Sequence, residues 1–341
     1  MRGPGKRATA RAPRPEQSVS QPQPNGRIRD RTARLQAFGV LALICGAGAC
    51  ALGLAHVLLP RLLATDVGAP TASLWISAIT YVAIGTTLIW CGIGSLLRRR
   101  WVRSVMLVLG GTWLLAGVLG TLLMLAMLDD VIALATLEVE TPPAYLSAFV
   151  RGVVVSVSVL VGIVVPAAFL LAYRDPAVFE TCAAADPRPA WTERCPLAVL
   201  TVSLGLGAAA VLAVPLSIRP VFPLFGRLVT GPPGALLTLA GGVACAWLAR
   251  ASFRMTAVGW WGTSALLVGV AVSVVATFLR VEPVDYLREL GYPDAQLAVL
   301  RDSPVAGRGI TVGATVALTL ASLAYMVSIR RYYSGATRRT A

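Results

Sequence analysis

Eight long stretches of this chain carry almost nothing but apolar and small residues, and short polar segments punctuate them. They run over Leu35–Leu59, Ser73–Leu97, Val102–Leu128, Tyr145–Tyr173, Leu197–Ile218, Ala235–Ala249, Ala257–Leu279 and Gly309–Ile329. A helix needs about 20 apolar residues to cross roughly 30 Å of hydrocarbon. Barrel strands, the other way to satisfy every backbone group in lipid, would alternate polar and apolar residues, and these stretches do not. The pattern predicts an all-α integral membrane protein with eight transmembrane helices. The sixth stretch is the shortest and follows Gly231-Pro232-Pro233-Gly234, so it is expected to begin earlier or to include a re-entrant segment.

The pattern also recurs. Val40–Ala51 matches Val199–Ala210 at Val, Leu, two Gly and two Ala. Leu97, Arg99, Arg103, Gly111, Thr112 and Leu115 correspond to Leu248, Arg250, Arg254, Gly262, Thr263 and Leu266 at a constant offset of 151. Arg-Gly opens the last span of each half, at Arg151-Gly152 and Arg308-Gly309. Leu171-Ala172-Tyr173 also resembles Leu323-Ala324-Tyr325, in a register that competes with the Arg-Gly match. The expectation is two parallel four-helix repeats, which an even number of spans per repeat places in the same orientation. Domains follow: a basic, disordered cytoplasmic tail at 1–34, a first membrane repeat at 35–173, a cytoplasmic linker loop at 174–195, a second repeat at 196–333 and a short cytoplasmic tail at 334–341. Gly46, Gly48, Ala49, Ser203 and Gly207 crowd the first and fifth spans, which predicts that these two helices pack centrally.

Composition agrees with a chain that lives in lipid: 56% of 341 residues are hydrophobic and 13% charged, with a mean hydropathy of +0.73. The net charge of +14 invites nucleic acid as a partner, but its placement makes it a topology signal instead. Twenty-two of the 30 Lys and Arg fall in the two tails and in the even-numbered loops, and seven in the odd-numbered loops; ten of the 16 acids fall in the odd-numbered loops. The positive-inside rule then puts both termini in the cytoplasm of a cell membrane. The tail before Leu35, rich in Pro, Arg, Gln and Ser, is too polar to build a core and is expected to lie against anionic headgroups or simply to fix orientation. Twenty-nine Arg against one Lys point to a GC-rich genome, hence a bacterial inner membrane.

Candidate chemistry is sparse. No Asp or Glu falls inside a predicted span, which disfavours proton-coupled carriage and intramembrane aspartyl proteolysis, since both rely on ionisable groups at depth. His56 is the only histidine, so a His-Glu-x-x-His zinc site is impossible. Cys45, Cys50, Cys91 and Cys245 lie in spans, and Cys182 and Cys195 in the central loop without metal-ligand spacing. No catalytic, cofactor-binding or metal-binding residue is assigned. The most distinctive segment is the loop 174–195, where Trp191 suits a headgroup level and Trp191, Glu193 and Arg194 form a candidate docking site for a cytoplasmic protein. Glu282–Ser303 reads as two short helices that, with Asp129–Pro143, are expected to shield helix ends as interfacial loops, the alternative being a lid over one end of the bundle.

Three functions compete at this level. A small-molecule binding or transport protein without buried carboxylates is favoured, its path running between the repeats through a cavity lined by Thr112, Ser203 and Thr263. The alternative is a non-catalytic scaffold or subunit recruiting its partner through the 174–195 loop. An enzyme comes third and would need Asp129, Asp130, Arg151, Glu282 and Arg308 around one pocket.

Overall fold

The computed structural model describes residues 31–62, 71–135, 144–301, 303 and 307–334; the tail before Arg31, residues 63–70, 136–143, 302 and 304–306 and the last seven residues lie outside the described residues. Among the described residues, eight helices long and apolar enough to cross a membrane carry the fold. They are α1 (Thr32–Leu62), α2 (Thr71–Leu96), α3 (Arg100–Ala126), a composite fourth, α8 (Leu197–Leu216), α9 (Gly231–Phe253), α10 (Ala257–Phe278) and α13 (Arg308–Ser334). Short helix α4 (Leu128–Ala135) lies between the third and fourth, and the fourth is built from α5 (Ala144–Val159), a π-helical turn at Leu160–Val164 and α6 (Val165–Arg174). Pro166 explains that turn. It has no N–H to donate and crowds the carbonyl four residues back, so the helix widens there and the Val165 N–H reaches Leu160 instead. Gly162 in the widened turn backs onto Gly117 of α3, where an added Cβ would overlap the Gly162 carbonyl.

The helices associate as antiparallel hairpins, α1 with α2, α3 with α5–α6, α8 with α9 and α10 with α13. The first is the closest, for a reason visible residue by residue. Gly39, Gly46 and Gly53 recur every seven positions on α1 and meet Gly92, Gly85 and Ala78, seven apart on α2. A Cβ on Gly46 would stand 2.7 Å from the Gly85 carbonyl oxygen, one on Gly92 2.8 Å from that of Gly39, and one on Gly53 2.8 Å from that of Ala78. Helices in lipid gain association from such close backbone approach, because hydrophobic exclusion gives them none. The expected central position holds for α8, which touches α2, α3 and α13 besides α9; α1 instead packs chiefly on α2, since its glycines are spent on that one neighbour.

Both termini of the described bundle lie at one end, called here the terminal end. Two buried clusters sit toward it. Leu35, Val102, Met106, Phe169, Tyr173, Val178 and Cys182 belong to one, and Val199, Leu200, Trp260, Met326, Ile329 and Tyr333 to the other. Trp191 and Leu204 pack against both and so join the halves.

Two interhelical corners at this end share an uncommon geometry. Arg98 and Met255, 157 positions apart, have φ of +52° and +53°. In each the N–H of that residue bonds to the serine carbonyl three back, Ser95 or Ser252, and the next N–H to the carbonyl of Gly94 or Ala251. Both serines are fully buried.

The distal end is more irregular. After α8, strands β1 (Val221–Leu224) and β2 (Arg227–Thr230) form an antiparallel hairpin with Leu224 opposite Arg227. Phe225 and Gly226 at its tip have φ of +41° and +97°, the backbone that a two-residue hairpin turn demands. The tip is docked on the last turns of α10: Ser273 accepts from the Phe225 N–H at 3.1 Å and donates to the Pro223 carbonyl at 2.8 Å, and Thr277 accepts from the Gly226 N–H at 3.0 Å. The Gly-Pro-Pro-Gly run therefore opens α9 rather than interrupting it. Gly231, at φ +65°, turns the chain out of β2, and the prolines occupy the first turn, where no N–H is needed. Helices α11 (Pro283–Leu290) and α12 (Asp294–Arg301) follow α10, separated by left-handed Gly291, and α12 touches α4.

A distal cavity between the two halves

Where α2, α8, β1, α9 and α11 meet at the distal end, they line a half-open cavity of about 350 Å³. Ile76 and Ser77 come from the first half, and Leu216, Arg219, Phe222, Thr238, Tyr286, Leu290 and Tyr292 from the second. Arg219 follows the last turn of α8. Its Nε donates to the Glu289 carbonyl at 3.3 Å, and its guanidinium lies so close over Gly291 that any Cβ there would collide with it. Glycine at 291 thus serves both the φ of +87° that ends α11 and the seat of this cation. Among the described residues no carboxylate comes within ion-pair distance of Arg219.

The two tyrosines differ in exposure. Tyr286 packs edge-on against Phe278 with ring centroids 5.8 Å apart, and Tyr292 is exposed. Burial, with a smaller contribution from neighbouring Tyr292, pushes the Tyr286 phenol above its usual range, so it remains a hydroxyl donor at neutral pH. Leu216 lines the cavity and is also about half exposed on the flank of the bundle, so the cavity opens along an apolar surface.

The residues that the sequence singled out sit elsewhere. Ser203 is buried and donates to the Ala249 carbonyl of α9 at 2.8 Å. Thr263 is buried with its hydroxyl 3.4 Å from that of Ser252. Both are interhelical links near the terminal end of α9. Thr112 is exposed on α3 and returns its hydroxyl to the Val108 carbonyl of its own helix. None of the three lines the distal cavity.

In the 174–195 loop, α7 (Pro176–Ala185) and a 3₁₀ turn (Trp191–Arg194) are fastened to the bundle. Asp175 caps α7 by accepting the Ala177 N–H, and it holds the first turn of α1 through Arg31 and Arg34, each at 3.1 Å. Arg100 clasps Glu193 with both oxygens at 2.9 Å, and Arg100 and Arg103 lie over the Phe179 ring. Trp191 packs 6.0 Å from Phe253 between the two clusters. Of the three candidate docking residues, Trp191 and Glu193 are thus engaged within the chain, and Arg194 is exposed.

The distal charges form separate exposed pairs, Arg151 with Asp129 at 2.7 Å and Arg308 with Glu282, and none of these residues lines the cavity. His56 hydrogen-bonds the Leu52 carbonyl one turn back and lies beside Tyr81.

Arg219, Tyr286 and Tyr292 went unread in the sequence. A single interfacial arginine and two tyrosines in the connection after α10 give no periodic signal, and only the packing of α11 on β1 brings them together. The eight apolar helices and their polar connections define a class, the multi-pass helical membrane protein. Beyond that class, no family model matches the chain, and neither a curated protein nor a solved structure matches it.

Proposed function

We propose that this chain is a membrane-embedded protein that binds, and in that capacity transports, a small molecule held in the distal cavity. One observation carries the reading: a concave, largely apolar space lies at the junction of the two halves, with a cation and hydroxyls converging on it. Sites of this size and lining, at the boundary between packed units, are where small-molecule sites form in proteins generally. The eight spans hold no carboxylate, so any transport proceeds without a buried acid. The scaffold reading draws less support, because Trp191 and Glu193 are occupied within the bundle.

The test is direct. Full-length protein extracted from native membranes and examined by native mass spectrometry is expected to carry a small-molecule adduct. Ser77→Trp, which fills the cavity from the α2 wall, should release that adduct while leaving the protein folded. An adduct that survives Ser77→Trp would sink the site.

The same reading includes the arrangement around the site. The chain lies in the cell membrane of a bacterium with both termini cytoplasmic, so the distal end is outer. Its halves are two parallel four-helix repeats. Support comes from the equivalent hairpins, from the matched corners at Arg98 and Met255, and from acid partners for the Arg of both Arg-Gly starts. The corners and the Arg-Gly pairs share a register of 157, which argues for that register over the 151 suggested by Arg99 and Arg250.

A further inference from the structure

We propose that the molecule held in the distal cavity is an anionic amphiphile, a carboxylate or phosphate carried on an acyl chain and drawn from the adjoining leaflet. This rests on the reading of the cavity as a binding site and adds the class of its ligand.

Arg219 is the reason for the charge. A guanidinium half removed from water needs a partner, and carboxylates or phosphates fit its planar fork best. Within the chain Arg219 has a carbonyl on Nε, while its guanidinium lies close against Gly291. Its terminal nitrogens, with no carboxylate in range among the described residues, contribute positive charge to the cavity wall. Arg151, Arg288 and Arg308 at the same end each have an acid, at Asp129, Asp285 and Glu282; Arg227, Arg280 and Arg301 do not line the cavity, so Arg219 is the cation in its wall. Tyr286 and Tyr292 line the same cavity and offer hydroxyl donors that suit an oxyanion, while the charge of Arg219 repels an ammonium.

Ile76, Leu216, Phe222 and Leu290 are the reason for the acyl chain. They form the rest of the wall, and Leu216 continues it onto the apolar flank of α8. A volume of about 350 Å³ accommodates a headgroup and the first part of a chain, and the remainder then lies along that flank. A water-soluble anion would leave those apolar side chains without a partner.

The experiment uses the full chain in phosphatidylcholine nanodiscs, titrated separately with decyl phosphate, decanoate, decanol, decylphosphocholine and inorganic phosphate, with binding read by native mass spectrometry. Decyl phosphate and decanoate are expected to bind about tenfold or more tighter than decanol or decylphosphocholine, the scale of one charge-assisted contact. Arg219→Gln should abolish that preference and Arg219→Lys should retain part of it, with melting curves of both variants confirming the fold. Tyr286→Phe, which leaves the cation in place, should weaken anion binding by a smaller factor. Equal binding of decanol and decyl phosphate, both lost in Ser77→Trp, would overturn the anionic ligand while leaving the site standing. Inorganic phosphate binding as tightly as decyl phosphate would overturn the amphiphile. Binding of every amphiphile unaffected by Ser77→Trp would remove the site itself.

Discussion

At the scale of single residues, Cys182 illustrates how burial outweighs charge. Arg103, Arg98 and Arg100 all lie near enough to favour its thiolate, yet desolvation dominates and pushes the thiol up to about 11, from an ordinary value of 9.0. The side chain projects from α7 and is fully buried in the first cluster. Because the folded pKa is the higher one, this thiol's contribution to stability is complete below pH 9 and drains away as the pH climbs from 9 toward 11. Its reactivity follows the same curve. At pH 8 about one thiol in a thousand is ionised, roughly a hundredfold fewer than for an unperturbed group. Iodoacetamide labelling of the native protein, followed by peptide mapping, should leave Cys182 unmodified at pH 8 and modify it after unfolding in SDS. Native labelling at the rate of a free peptide thiol would show that the α7 contact is open. In the sequence this cysteine stood out only for what it lacked, a metal-ligand partner at suitable spacing. The packing that makes it inert comes from helices far away along the chain.

At the scale of elements, the spans were legible and their joints were not. Apolar length alone locates the eight crossings, because lipid permits few other structures. Pro283 and Gly291 mark helix ends by the local rules that place proline in first turns and glycine at left-handed stops, and Pro196 stands immediately before α8. The β-hairpin escaped notice. Pro223 argues against a strand and Phe225-Gly226 is a poor hairpin signal, so only the acceptors offered by Ser273 and Thr277 of α10 make it stable. The α1–α2 seam could have been read, since Gly39, Gly46 and Gly53 keep a strict seven-residue period that meets Ala78, Gly85 and Gly92. That seam yields a prediction. A Cβ at Gly85 would stand 2.5 Å from Cys50 Sγ and 2.6 Å from the Gly46 carbonyl oxygen. The latter is backbone and has no rotamer by which to move aside. Gly85→Val should therefore force the helices apart at a cost of about 2 kcal/mol or more, read as a lower midpoint of thermal unfolding in detergent. Gly48→Val, on the partner helix α1 but facing open space, should leave the midpoint within about a degree of wild type, a surface change being nearly neutral. Equal effects from the two substitutions would refute the close seam.

At the scale of the whole molecule, the charge asymmetry read from the sequence becomes a physical arrangement. Arginines 31, 34, 99 and 100 meet Asp175, Asp186 and Glu193 at the end that carries both termini. Exposed acid–arginine pairs and the cavity with Arg219 lie at the other. The surplus of arginine at the terminal end is what drives the proposed orientation, since basic loops resist translocation. The native cysteines suit a test. Cys182 and Cys195 are buried, burial holds both thiols above their ordinary value, and the remaining four lie within spans. A membrane-impermeant maleimide should accordingly find little to label in the wild-type protein. Glu289→Cys and Arg194→Cys place a thiol at an exposed position of the distal and terminal ends respectively. In intact cells the reagent is expected to label Glu289→Cys and to spare Arg194→Cys until the membrane is permeabilised. The reverse pattern would invert the protein and turn the cavity toward the cytoplasm. Ligand supply would then come from the inner leaflet, while the contacts proposed for Arg219 would stand unchanged.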